Sequence, residues 1–286
     1  MYPKMPAPSR SLVSGPVPGQ VWAPMETSPL PLGPVPDIVT SSLLLFLVGL
    51  VAGMLNVIAG GGSLLTLPVM IFLGLPPTVA NGTNRVAILI QNVGATWSFH
   101  RRRLISRDWL LLAVPPALVG VIIGTLAAVR IGDLAFQRTL AVVLVGAAAW
   151  TVWRPITPPA EGDAPPPSGG KRWVFAACFF LVGMYGGFIQ AGVGFIVLAV
   201  TSAAGLNLIK GNALKVPLIL AFTPLALVLF AWHGKVDWAM GFALASGNFL
   251  GAMAGVRLQI LKGHKWVRNV VTVTTVVFAI RLLFSR

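Results

Sequence analysis

The sequence predicts an all-α, polytopic integral membrane protein of two inverted five-segment repeats, with about ten membrane segments including a short broken or re-entrant one in each half. Three observations predict it. Hydrophobic residues make up 56% of the chain and charged residues only 10%, against roughly one quarter charged in an ordinary soluble domain. Apolar runs of about 18–23 residues recur after position 38, each long enough to cross a hydrocarbon core of roughly 30 Å. Polar and glycine landmarks of the first half also recur, in order, in the second. The runs are continuous rather than alternating, which argues against a β-barrel.

Residues 1–37 are rich in Pro, Ser and Gly, as in "MPAPSRSLVSGPVPGQ". They hold no uninterrupted apolar stretch, so they read as a disordered tail rather than a signal or a span. The first transmembrane repeat, residues 38–153, parses into segments 38–59, 63–73, 78–99, 109–129 and 134–153, separated by Gly-rich, Pro-rich or charged interruptions. Residues 154–172, "RPITPPAEGDAPPPSGGKR", are too polar and Pro-rich to span and read as a linker. The second repeat, residues 173–286, gives segments 173–190, 192–204, 209–232, 238–260 and 266–284. The second segment of each half, about a dozen residues, is short for a full crossing. Trp109, Trp153, Trp173, Trp238 and Trp266 stand at segment ends as interfacial anchors.

The duplication rests on matched landmarks. "LVGLVAGMLNVIAGGG" aligns with "LVGMYGGFIQAGVGF", pairing Gly49 with Gly183, Gly53 with Gly187, Asn56 with Gln190 and Gly60 with Gly194. "LGLPPTVANGTN" aligns with "AGLNLIKGNALK", pairing Gly74 with Gly205 and Asn81 with Asn212. Asp108-Trp109 then answers Asp237-Trp238, and Gly120/Gly124 answers Gly251/Gly255.

Charge sets the orientation. The net charge is +14, yet the basic residues cluster between apolar runs, where the positive-inside bias explains them without nucleic acid as a partner. "HRRRLISR" at 100–107, the linker ends and "RLQILKGHKWVR" at 257–268 fall on one, cytoplasmic, side if the short segments count as crossings. The halves are then inverted relative to one another.

No Asp or Glu lies inside an apolar segment: Asp37, Asp108, Asp133 and Asp237 flank segments, and Glu26, Glu161 and Asp163 lie in the tail or linker. Intramembrane cation and proton pathways usually rely on buried carboxylates, so a cation carrier is disfavoured. His100, His233 and His264 sit near segment ends and Cys178 is the lone cysteine. That leaves no metal site, no disulfide and no expected cofactor. No histidine is placed to activate Ser63, so catalysis is not expected.

The interior holds amides, hydroxyls and cations beside helix breaks instead. In the first half these are Asn56, Gly60, Gly61, Gly62, Ser63, Asn81, Thr83, Asn84 and Arg85; in the second, Gln190, Gly192, Gly194, Asn212 and Lys215. A helix that starts after a glycine break points unpaired N–H groups and a positive dipole end at whatever lies there, which favours an anion. Blander roles stay open at each position. The spaced glycines also serve close helix packing, Asn81 and Asn212 can cap the helix that follows, Arg85 and Lys215 can snorkel to an interface, and Gln91 and Asn92 can join helices.

"NVIAGGGSLLTLPVMIFLGLPPTVANGTNRVAI" and "GMYGGFIQAGVGFIVLA" with "GLNLIKGNALK" resemble the two repeat motifs of the TauE/SafE family of sulfite and organosulfonate exporters, over residues 43–284. "QAGVGF" departs from the glycine triplet of the first repeat, so the two breaks need not bind alike. The resemblance implies a multi-pass protein of the bacterial inner membrane that exports sulfite, sulfoacetate or a related sulfonate. Its partners would be that small anion and the bilayer, with a homo-oligomer compatible. An anion channel, a permease for another small organic anion, and an accessory protein without transport are the alternatives.

Overall fold

The computed structural model describes residues 38–153 and 165–284. The expected disordered tail, residues 1–37, and linker positions 154–164 lie outside the described residues. The described residues form helices α1 (Ile38–Ile58), α2 (Ser63–Phe72), α3 (Pro77–Arg101), α4 (Arg107–Arg130), α5 (Asp133–Trp153), α6 (Gly170–Phe188), α7 (Val193–Ala203), α8 (Leu208–Trp232) and α9 (Trp238–Phe284). No strand occurs among them. Four of these helices, α1, α4, α8 and the first part of α9, are long and apolar enough to cross a membrane by length and composition. α2 and α7 are the short pair.

The two halves terminate their helices by the same local chemistry. At the end of α2 the Leu75 N–H bonds to the Met70 carbonyl and the Gly74 N–H to Ile71, with Gly74 at φ +96°. At the end of α7 Leu206 bonds to Thr201 and Gly205 to Ser202, with Gly205 at φ +98°. This is the left-handed closure that glycine adopts without a Cβ penalty. α8 closes likewise at Gly234, and α3 at Arg103, the one non-glycine with positive φ among the described residues.

Long-range packing is dominated by α1 on α9 and α4 on α6. Both pairs are close backbone contacts made by glycines. A Cβ on Gly247, Gly251 or Gly255 would strike Phe46, Leu50 or Met54, and one on Gly120 or Gly124 would strike Phe180 or Met184. Gly49, Gly53, Gly183 and Gly187 meet the opposite backbone in the same way. Paired residue numbers rise together, so α1 runs parallel to α9 and α4 parallel to α6. Gly241 against Val86 and Gly94 against Phe249 place α3 parallel to α9 as well. By contrast α3 and α8 are antiparallel, since Gly82 and Arg85 approach Phe230 while Thr96 and Pro217 share one cavity. Because α1 and α3 both run the same way, α2 must carry the chain back between them.

Outer faces carry large apolar side chains, among them Val39 (78% exposed), Phe72 (77%) and Leu111 (72%), as expected where lipid is the solvent. Trp173 and Trp238 are exposed at helix starts, in keeping with interfacial anchoring. Two expected anchors differ: Trp109 is buried and packs edge-on against Phe175, ring centroids 5.4 Å apart, so it is a core residue, and Trp266 lies inside α9, half-buried against the core, and not at a helix end. Cys178 is half-buried on α6. The ninth and tenth expected segments form one continuous helix, with no break at 261–265. The only helix breaker there is Gly263. A single glycine costs only about 1 kcal/mol and does not stop a helix by itself.

Candidate functional site

The two breaks meet in the middle of the bundle. α1 ends at Ile58 and α2 starts at Ser63, with Gly60 between them at φ +92°. α6 ends at Phe188 and α7 starts at Val193, with Gly192 at φ +72°. Gly60 and Gly194 lie backbone to backbone, with no room for a Cβ on either, and Gly61 packs on the Phe195 ring. The breaks are not identical. α1 runs on for more than a turn past Gly53, whereas α6 ends beside Gly187.

Ending a helix within the bundle strands its last carbonyls. Each stranded set is taken up by a cation and an amide from the other half of the chain. At the end of α1, the Lys215 ammonium donates to the carbonyls of Asn56 (2.9 Å) and Val57 (2.9 Å) and to Asn212 Oδ1 (2.6 Å). Asn212 Nδ2 donates to the Ile58 carbonyl (2.9 Å) and to Gln259 Oε1 (2.9 Å). At the end of α6, Arg85 Nη1 donates to the Gly186 carbonyl (3.1 Å) and to Gln190 Oε1 (3.0 Å), and Nη2 donates to Gly187 (2.6 Å). Asn81 Nδ2 donates to the Phe188 carbonyl (3.0 Å), and the guanidinium lies 4.6 Å from the Phe230 ring centroid. Gln190 Nε2 continues to Thr223 Oγ1 at 3.3 Å.

Arg85 (0% exposed) and Lys215 (1%) therefore do not snorkel. Nor do Asn81 and Asn212 cap their own helices; they lie within α3 and α8 and reach across, while Asn207 caps α8 through the Lys210 N–H. No carboxylate is buried among the described residues, so each cation is balanced only by a helix C-terminus, equivalent to roughly half a negative charge. Arg85 Nε is buried without a partner.

The other expected site residues have narrower tasks. Asn84 donates to Ser63 Oγ (3.0 Å) and accepts from Thr66 (2.7 Å), fastening α2 to α3. Asn56 Nδ2 reaches Gln91 Oε1 at 3.5 Å. Thr83 stands apart from both breaks and accepts the Asp237 N–H (2.8 Å) at the start of α9. Asn92 Nδ2 is buried and unpaired. Thr223, Asn248 and Gln259 escape sequence reasoning: all are fully buried, yet Thr223 is a lone polar residue in an apolar run, Asn248 follows a packing glycine within a continuous helix, and Gln259 lies between Arg257 and Lys262, where it reads as part of a basic helix end. Among the described residues no cluster of His, Cys, Asp or Glu could hold a metal.

A family model described as "Sulfite exporter TauE/SafE" matches residues 45–282. The chain belongs to the TauE/SafE family. Its relatives include "Probable membrane transporter protein YfcA" of Escherichia coli strain K12, 32% identical over 247 residues, or 84% of this chain and 89% of that protein. "Probable membrane transporter protein ORF9" of Sinorhizobium sp is 31% identical over 242 residues, covering 84% and 91%. A "Probable membrane transporter protein" of Haemophilus influenzae is 28% identical over 247 residues, covering 85% and 94%. No solved structure matches the chain significantly. This TauE/SafE chain is thus a multi-pass membrane transporter, with its most polar interior at the two abutting helix breaks.

Proposed function

We propose that this TauE/SafE transporter carries a small sulfur-containing anion, sulfite or a sulfonate such as sulfoacetate, out across the bacterial inner membrane by alternating access. One observation carries the reading. Two cations, Arg85 and Lys215, are fully buried beside the breaks with no buried carboxylate among the described residues to neutralise them. A buried charge without a full counter-charge is expensive in a membrane interior, and a passing anion supplies the missing charge. The site lies around the Gly60–Ser63 and Gly192–Gly194 breaks. Arg85 Nε and the second amide hydrogens of Gln190 and Asn81 act as donors there, and Asn212 joins them when its hold on the end of α1 is released. Sulfite and sulfonates present several oxygens to such donors. Membership of a family of sulfite exporters supports sulfur anions over other anions.

The two halves act as inverted repeats, and their parallel glycine-packed pairs, α1 with α9 and α4 with α6, support this. The chain enters the first repeat at residue 38 and the second at residue 173, with the cytoplasmic linker between. Direct contact of Gly60 with Gly194 favours a carrier over an open pore. Purified protein in proteoliposomes is expected to show saturable sulfite or sulfoacetate flux with counterflow, and Arg85→Gln to lose at least tenfold of it. Absence of flux and of thermal stabilisation with sulfite, sulfoacetate, taurine, sulfate and thiosulfate would refute the reading.

A further inference from the structure

The end of the bundle where α3 passes to α4 lies away from the Gly60–Gly194 contact and is rich in basic residues. A cleft of about 700 Å³ opens there, lined by Thr96, His100, Arg101, Arg103, Arg107 and Pro217, with Ile105 and Leu110 as apolar walls. Three arginines and a histidine thus line one cavity, and no acidic residue lines it. Asp108, the nearest acid in sequence, is exposed on the first turn of α4 and lies outside the lining. One wall meets the lipid-facing surface. Arg101 stacks 3.9 Å from the centroid of Trp97, whose ring is 52% exposed on the outer face of α3.

We infer that this cleft binds the phosphate headgroup of an anionic membrane lipid. Arginine forks match phosphate oxygens, basic pockets between helices at a cytoplasmic interface suit anionic lipid headgroups, and Ile105, Leu110 and Pro217 provide the apolar wall that glycerol and acyl chains need. A freely soluble anion would have no use for that wall. The volume lies in the range of small-ligand pockets, about 300–1,000 Å³. The site is independent of which solute is carried.

The test uses the full-length protein in neutral detergent, titrated with dioleoylphosphatidylglycerol, dioleoylphosphatidylcholine or inorganic phosphate while thermal unfolding is followed. Phosphatidylglycerol is expected to raise the unfolding temperature saturably, with the other two having no such effect. Arg103→Gly with Arg107→Gln should weaken the apparent affinity at least tenfold. Glycine suits the positive φ of Arg103 (56°), so the backbone turn survives the change. Arg257→Gln with Lys262→Gln removes two exposed charges of α9 outside the cleft and should leave binding unchanged. An equal effect of phosphatidylcholine, an equal effect of inorganic phosphate, or an equal loss in the α9 control would each overturn the assignment.

Discussion

The Lys215 ammonium has three protons, and all three are committed: two to carbonyls at the end of α1 and one to Asn212. Lysine is the economical choice for this place, because a compact ammonium serves converging acceptors, whereas the Arg85 fork spreads over Gly186, Gly187 and Gln190. Lys215→Met keeps the stem and removes the head. It orphans the Asn56 and Val57 carbonyls, at about 1–3 kcal/mol each, partly offset because a charge no longer has to be buried. A net loss of about 2 kcal/mol is expected on that reckoning, read as a lower unfolding temperature in detergent. Flux of the proposed sulfur anion should fall at least tenfold. A variant that transports normally would show that the ammonium only closes a helix end.

At the scale of elements, glycine spacing decides which helices approach. Gly124 on α4 sits against the Met184 carbonyl with no space for a side chain, while Gly132, between α4 and α5, has nothing within 4 Å of a Cβ. Gly124→Val should therefore separate α4 from α6 and cost roughly 3 kcal/mol, at the upper end of overpacking. Gly132→Ala should leave stability within about 0.5 kcal/mol, as for an ordinary surface change. Fluorescence-monitored gel filtration after graded heating compares the two. These elements were legible in sequence because each apolar run is bounded by a strong interruption. The Gly49, Gly120 and Gly251 packing roles were legible from spacing too. The fusion of the last two segments into α9 was not, because a lone Gly263 among basic residues reads as a loop although a helix tolerates it. The cross-bundle reach of Asn81 and Asn212 was also hidden, since a sequence shows an amide near a helix start but not the severed helix end it faces. Thr83 was misjudged for the same reason: its partner, the Asp237 N–H, lies 154 positions away.

At the scale of the whole molecule, the two clasps join bodies that run in opposite directions. Lys215 and Asn212 on α8 hold the end of α1, and Arg85 and Asn81 on α3 hold the end of α6. They lie toward opposite ends of the bundle. Lys215 is two positions from Pro217, which lines the basic cleft with His100, whereas Arg85 stacks on Phe230 near the other end of α8. With both clasps made, Gly60 packs directly against Gly194. Alternating access then requires that one clasp release while the other holds. On the proposed alternating-access reading, with the basic 100–107 loop cytoplasmic, the Lys215 clasp would serve as the cytoplasmic gate and the Arg85 clasp as the opposite one. In a Cys178→Ala background, Asn212→Ala should speed the reaction of a cysteine at Val57 with an impermeant maleimide applied from the cytoplasmic side. Asn81→Ala should do the same for a cysteine at Phe188 from the other side. Each variant should leave the opposite reporter unchanged, because the intact clasp still seals its own end. Reporters that respond from the same side, or that both respond to either variant, would mean that the clasps open together and that the bundle does not work as two alternating gates.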